Sequence, residues 1–381
     1  MGAFAEVIGD LVRFHMNMVQ TWGSETSGCC SSLSLVGRET EALLSCSREG
    51  EESLDQWVLA RVVFQDSDEQ VSDPRVVQVP TPVLDGCAPA EVWRSGLPVS
   101  AGHEGSIGFA GNGDLLFAHV RAGDPTGDNF AEFIRQACRR ILSFARARGY
   151  CHVLRMWNVV PRLNEGEGDD ERYKQFCIGR ARAFDELLTP GSRPPAASCV
   201  GFDGKGVLIY LLASRQPGVP IENPRQVRAD WYPRVYGPCP PSFCRAMLHQ
   251  VGSQMYLHVS GTASIVGHET VHPRDFDSQI EETVRNLGAV LGCAAEKTAS
   301  EALSLERPSL LRVYLRDGAH LDRLCSNLDR LLGPDVPKII LRADLCRRSL
   351  LVEIEGFWCI GERVGRRSGT MRNLPSSRTC G

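Results

Sequence analysis

Two carboxylates stand two residues apart in an otherwise apolar string, LLVEIEG at residues 350–356. Side chains alternate faces along a strand, so Val352 and Ile354 share one face while Glu353 and Glu355 share the other. On a sheet with one wet side that second face is simply solvated. If instead it lines a pocket, burial keeps a carboxyl protonated near neutral pH and suits it to general acid chemistry.

Three other segments carry side chains of this kind. YPRVYGPCPPSFCRAM (232–247) sets four prolines and a glycine around Tyr232, Tyr236, Phe243 and Arg245. Proline fixes φ and removes a donor, so this is a rigid irregular loop. It is either a stiff connector or a preset loop offering a hydroxyl and a guanidinium fork to a carboxylate. SGTASIVGHETVH (260–272) holds Gly261, where backbone can approach a ligand closely, and Ser260 and Thr262 as hydroxyl donors. Its letters HETVH spell the zinc-protease pattern, but the flanking glycine and Pro273 speak against a helix, so the histidines read as structural and no metal is expected. In RYKQFCIGRARAFDE, Tyr173, Cys177 and Arg180 fall on one helical face, with Arg155, Trp157 and Asn158 upstream in LRMWN.

These residues need a scaffold, and the hydrophobic pattern supplies one. Strands are expected at LLFAHV, HVLRMW and GVLIYLLA, with helices over 128–149 and ERYKQFCIGRARAFDELL; Asp128 is the expected N-cap and Gly149 the stop. The same order returns as MYLHVS, FDSQIEETVRNLGAVLG, LLRVYLR, HLDRLCSNLDRLLG, KIILRA and LLVEIE. The expectation is an α+β protein of two β-α-β-α-β halves, 85–215 and 230–360, with mixed sheets and helices packed on one face. Residues 1–80 are poorly defined, apart from a possible amphipathic opening helix, and the basic, Gly/Ser-rich tail 361–381 is expected to be disordered.

Composition excludes several classes. A net charge of −4 with interspersed signs makes no case for nucleic acid, and no apolar run spans a bilayer. The opening segment lacks a basic n-region and carries Glu6 and Asp10, so a cytoplasmic protein is expected. Fifteen cysteines with no C-x-x-C pair suggest buried small residues rather than zinc or disulfides.

Taken together, RMWN, RYKQFCIGRARAFDE, ENPRQV, YPRVYGPCPPSFCRAM, SGTASIVGH and LLVEIEG, in that order over 87–357, resemble the chorismatase family. That family acts on chorismate, releases pyruvate and has a fold similar to the RidA/YjgF proteins. The resemblance implies Glu355 as catalytic acid, with Arg245 and Tyr236, and also Arg155, Tyr173, Arg180 and Thr262, holding the substrate. Gly261 and Cys346 fall where product classes differ, and as a Gly/Cys pair they point to the hydroxybenzoate-forming members, Cys346 as a thiolate if nearby arginines lower its pKa. Glu353 is expected to be solvated, and Val159 departs from the Tyr common after WN. The implied reaction protonates the enol methylene of chorismate and needs no cofactor, giving pyruvate with 3-hydroxybenzoate and some 4-hydroxybenzoate. Alternatives are hydrolysis to a dihydrodiol, or a RidA-like carboxylate binder without turnover. A monomer or homotrimer is expected.

Overall fold

The computed structural model describes residues 44–49, 54–65, 71–85, 90–123, 129–189, 191–298 and 303–360. The opening helix, Asp128 and the tail 361–381 lie outside the described residues. A stretch expected to be poorly defined instead contributes strands. β1 (Leu44–Glu49), β2 (Val58–Phe64), β3 (Val76–Val79) and β4 (Ala90–Ser95) form a four-stranded sheet ordered β1-β4-β2-β3.

The first half continues with β5 (Ser100–Glu104), β6 (Ile107–Gly111), β7 (Leu115–Ala122), α1 (Phe130–Ala147) and β8 (His152–Pro161). It closes with α2 (Arg172–Leu187), β9 (Ala196–Phe202) and β10 (Val207–Ser214). The second half runs β11 (Val219–Ile221), β12 (Ala246–Val251), β13 (Gln254–Ala263), β14 (Ile265–Val266), β15 (Glu269–Thr270) and α3 (Phe276–Thr298). It ends with β16 (Leu310–Leu315), α4 (Leu321–Leu332), β17 (Lys338–Arg342) and β18 (Val352–Ile360).

The two large sheets are ordered β5-β6-β7-β10-β8-β9 and β11-β12-β13-β18-β16-β17. In each, the last strand inserts antiparallel between the first long strand and the one after the first helix, and one parallel pair closes the edge. The duplicated α+β architecture is therefore as expected, with an additional hairpin partner on each sheet. β9 was not legible: AASCVGF is small and weakly patterned, and only burial on both faces makes it a strand.

Local chemistry explains the helix ends. The Asn129 side chain accepts the Glu132 N–H at the start of α1, and Gly149 takes φ +81° to stop it. Phe130, Ile134, Ile141 and Phe144 then pack with one face of the first sheet. Ile280, Leu287, Leu324 and Leu328 do the same for the second. The remaining faces meet in a third core where Trp93 and Leu59 of the small sheet join Trp157, Tyr210, Tyr256 and Phe357. Ladder contacts Ala196–Cys244, Gly201–Asp344 and Val83–Leu341 stitch the sheets together, and the described residues fall in one compact unit.

Candidate active site

On β18, Val352, Ile354 and Trp358 face the α3/α4 core, which turns Glu353 and Glu355 toward the space between the sheets. That face is dry: Glu353 is 4% and Glu355 3% exposed. The expectation of a solvated Glu353 is corrected, because the second face of this strand is covered by the other half of the molecule.

The two carboxyls have opposite surroundings. Arg155 Nη2 donates to Glu355 Oε2 at 2.8 Å, Trp157 Nε1 donates to Oε1 at 2.8 Å, and Arg312 Nη1 lies 3.3 Å from Oε1. Burial alone would raise the Glu355 pKa, but Arg155 and Arg312 outweigh it and hold the group below its usual value. The expected protonated acid at 355 is thus an ion-paired carboxylate. Glu353 is the reverse: burial, reinforced by the Glu355 charge, pushes it up to about 8 against the partial counteraction of Arg155 and Arg316.

Glu353 lines a cavity of about 390 Å³ between the halves. Of the expected site residues, Tyr173, Arg180, Tyr236, Arg245, Gly261 and Cys346 line it too. Arg155, Thr262 and Glu355 do not. Thr262 gives its hydroxyl to Ser260 O, and Arg155 stands behind Ser198, donating to its Oγ at 2.6 Å. Val159 packs into the shared core. Cys346 is half-buried against the shared core, and desolvation, with the Glu353 carboxyl adding to it, pushes its thiol up to about 12, so the arginines do not lower it to a thiolate.

Gly261 sits where the β13–β18 register slips between Val259 and Thr262. The irregularity sends its N–H to Ser198 Oγ at 2.9 Å. A Cβ at this position would stand 1.9 Å from Glu353 Oε1, so the missing side chain makes room for the acid itself.

The cavity wall is cationic. Arg180, 1% exposed, lies over the Phe176 ring with its Nε unpartnered. Arg245 is held by Val227 O and the Tyr232 hydroxyl, both at 2.9 Å. Arg347 lies 4.0 Å over the Tyr236 ring and donates to His268 O at 2.8 Å, while Tyr236 Oη meets His268 Nδ1 at 3.2 Å. Among the described residues none of these three arginines is in a salt bridge, so an anion can take their charge. Lys174 and Ser198 were not singled out from sequence, since nothing in their spacing marks them; Glu353 was expected to be solvated, and the face it shares with Glu355 was the signal that could have found it. HETVH enters on β15 of the β14–β15 hairpin and forms no helix.

Residues 91–213 match the family described as chorismatase FkbO/Hyg5-like, N-terminal. A 3-hydroxybenzoate synthase of Streptomyces hygroscopicus is 36% identical over 277 residues, 70% of this chain and 80% of that protein. A chorismatase of the same organism is 34% identical over 73% of this chain and 82% of its own length. A chorismatase crystal structure aligns over 83% of this chain and 97% of its own with TM-score 0.74 at 31% identity. The chain belongs to the chorismatase family.

Proposed function

We propose that this enzyme cleaves the enolpyruvyl ether of chorismate to pyruvate and 3-hydroxybenzoate, with Glu353 rather than Glu355 as the proton donor. The observation that carries the reading is a carboxyl, buried so that its proton is held near neutral pH, facing a cavity in which Arg180, Arg245 and Arg347 have no carboxylate partner among the described residues. Chorismate is a dianion, and Arg180, Arg245 and Arg347 are placed to engage its carboxylates and turn the enol methylene toward Glu353. Protonating that carbon leaves an oxocarbenium centre; water adds there, collapse of the hemiketal breaks the bond to the ring oxygen and releases pyruvate, and loss of the C4 hydroxyl with the C3 hydrogen, as water, gives 3-hydroxybenzoate. A relative 36% identical to this chain is named a 3-hydroxybenzoate synthase, and Gly261 with Cys346 beside Glu353 supports the same product here. Some 4-hydroxybenzoate and a cytoplasmic location belong to the same reading. Among the described residues no helix is long and apolar enough to cross a membrane.

Glu353→Gln keeps shape but cannot protonate carbon, so pyruvate release should fall about 10²–10⁴-fold with chorismate binding retained. Coupled lactate dehydrogenase reports the rate, and chromatography identifies the ring product. Wild-type turnover in this variant would remove Glu353 from the mechanism.

A further inference from the structure

The charges buried between the three sheets balance without Glu353. Arg312 on β16 grips both oxygens of Glu91 on β4, with Nη2–Oε1 at 2.6 Å, and extends Nη1 to Tyr210 Oη at 2.6 Å and toward Glu355. Arg155 on β8 engages the other Glu355 oxygen. Trp93 Nε1 donates to Glu91 at 2.6 Å, as Trp157 Nε1 does to Glu355. Both guanidiniums and both carboxylates are almost completely buried. Two positive and two negative groups therefore neutralise one another out of water, and Glu353 is the carboxyl left over.

The titratable and charged groups around Glu353 come from five elements. They are Glu355 on its own strand, Arg155 on β8, Cys199 on β9, Arg316 just after β16 and Cys346 in the loop before β18, while β13 presents the backbone of Gly261. Burial keeps both thiols neutral. Arg316 is committed to Asp344 at 2.7 Å and to carbonyls of Leu345, Arg347 and Leu350. What remains is the balance of Arg155 against Glu355. Among the described residues Arg155 Nη1 has no partner, so a guanidinium released from Glu355 has a donor ready for another acceptor.

We propose that Glu91 and Glu355 are charge-balancing positioning residues: by occupying Arg312 and Arg155 they let the acid at the cavity wall keep its proton. Glu91 acts from the small N-terminal sheet, through Arg312 and Glu355, without touching the cavity. Removing Glu91 turns Arg312 wholly onto Glu355 and weakens the repulsion that Glu353 feels. Removing Glu355 abolishes that repulsion and frees Arg155. Both changes favour ionised Glu353 in a low-dielectric interior.

The proposal rests on Glu353 being the proton donor, so the test reads the carboxyl and the reaction separately. Wild type, Glu91→Gln, Glu355→Gln and Glu91→Asp are titrated by infrared difference spectroscopy, following the protonated-carboxyl C=O band that Glu353→Gln lacks. The pH profile of pyruvate release is measured alongside. Both amide variants should lower the band's midpoint and the basic limb of the profile by about one pH unit or more. The larger change belongs to Glu355→Gln, and Glu91→Asp, which keeps the charge, should restore wild-type values. Unmoved midpoints in folded amide variants overturn the proposal, as does a loss of rate that is equal at every pH. A band that shifts while the pyruvate profile stays in place supports the charge balance and instead removes Glu353 as donor. Should Glu91→Gln fail to fold, Glu355→Gln decides by the same criterion.

Discussion

Glu353 and Glu355 share a strand, a face and near-complete burial, and differ in what stands across from them. Glu355 meets two guanidiniums and an indole N–H, and Glu353 meets a glycine and a cavity. The difference has a thermodynamic signature. The folded chain binds a proton at Glu353 up to about pH 8, whereas an unfolded glutamate releases it near 4.5. Folding stability therefore declines as pH rises through that window, by an amount on the order of a few kcal/mol. Glu353→Gln does not titrate, so its melting temperature relative to wild type should rise between pH 5 and pH 8. A constant offset across that range would mean that Glu353 is ionised in the native protein. Gly261 gives a second expectation. An Ala there collides with Glu353 Oε1, so the carboxyl must swing away from its position. A donor displaced by about 1 Å can cost up to 100-fold. Gly261→Ala should lower kcat for pyruvate release and move product from hydroxybenzoate toward dihydrodiol, both read in one chromatographic assay; unchanged rate and product would dissociate Gly261 from proton delivery.

At the scale of elements, α2 presents Tyr173 and Arg180 to the cavity, and α1 sets where it lies. The contact is unusually close at Gly179, where an added Cβ would stand 2.2 Å from Ala131 O and 2.8 Å from Ile134 Cβ. Backbone cannot yield as a side-chain tip can, so Gly179→Ala must push α2 away from α1. Overpacking of this kind costs about 1–3 kcal/mol. The variant should melt lower and also show a raised KM for chorismate, since Arg180 moves with its helix. A lower melting temperature with unchanged KM would show that the helix shift does not reach the cavity. Both helices were legible from their 3.6-residue periodicity. Their closeness was not, because a glycine in IGRAR looks like any other weak helix former.

At the scale of the molecule, the small N-terminal sheet completes a core that neither half closes alone. Leu59, Val62, Val77 and Trp93 pack into the cluster holding Trp157, Tyr210 and Phe357, and Glu91 supplies Arg312 with its carboxylate. A chain beginning at Leu97 should aggregate or lose cooperative melting, whereas one beginning at Glu41 should retain both melting and pyruvate release. A soluble, active chain from Leu97 would make the small sheet dispensable. By itself the sequence determined the helices, most long strands, the duplicated order and, through short motifs, the family; each depends on local periodicity or on residue strings read in order. Through the resemblance it also pointed to Tyr173, Arg180, Tyr236, Arg245, Gly261 and Cys346, which line one cavity, and to Arg155, Thr262 and Glu355, which do not. Which carboxyl carries the proton was decided only by tertiary structure. The charges that separate Glu353 from Glu355 lie on β4, β8 and β16, up to 264 positions away in the chain, and a pKa depends on distance through space and not along the sequence.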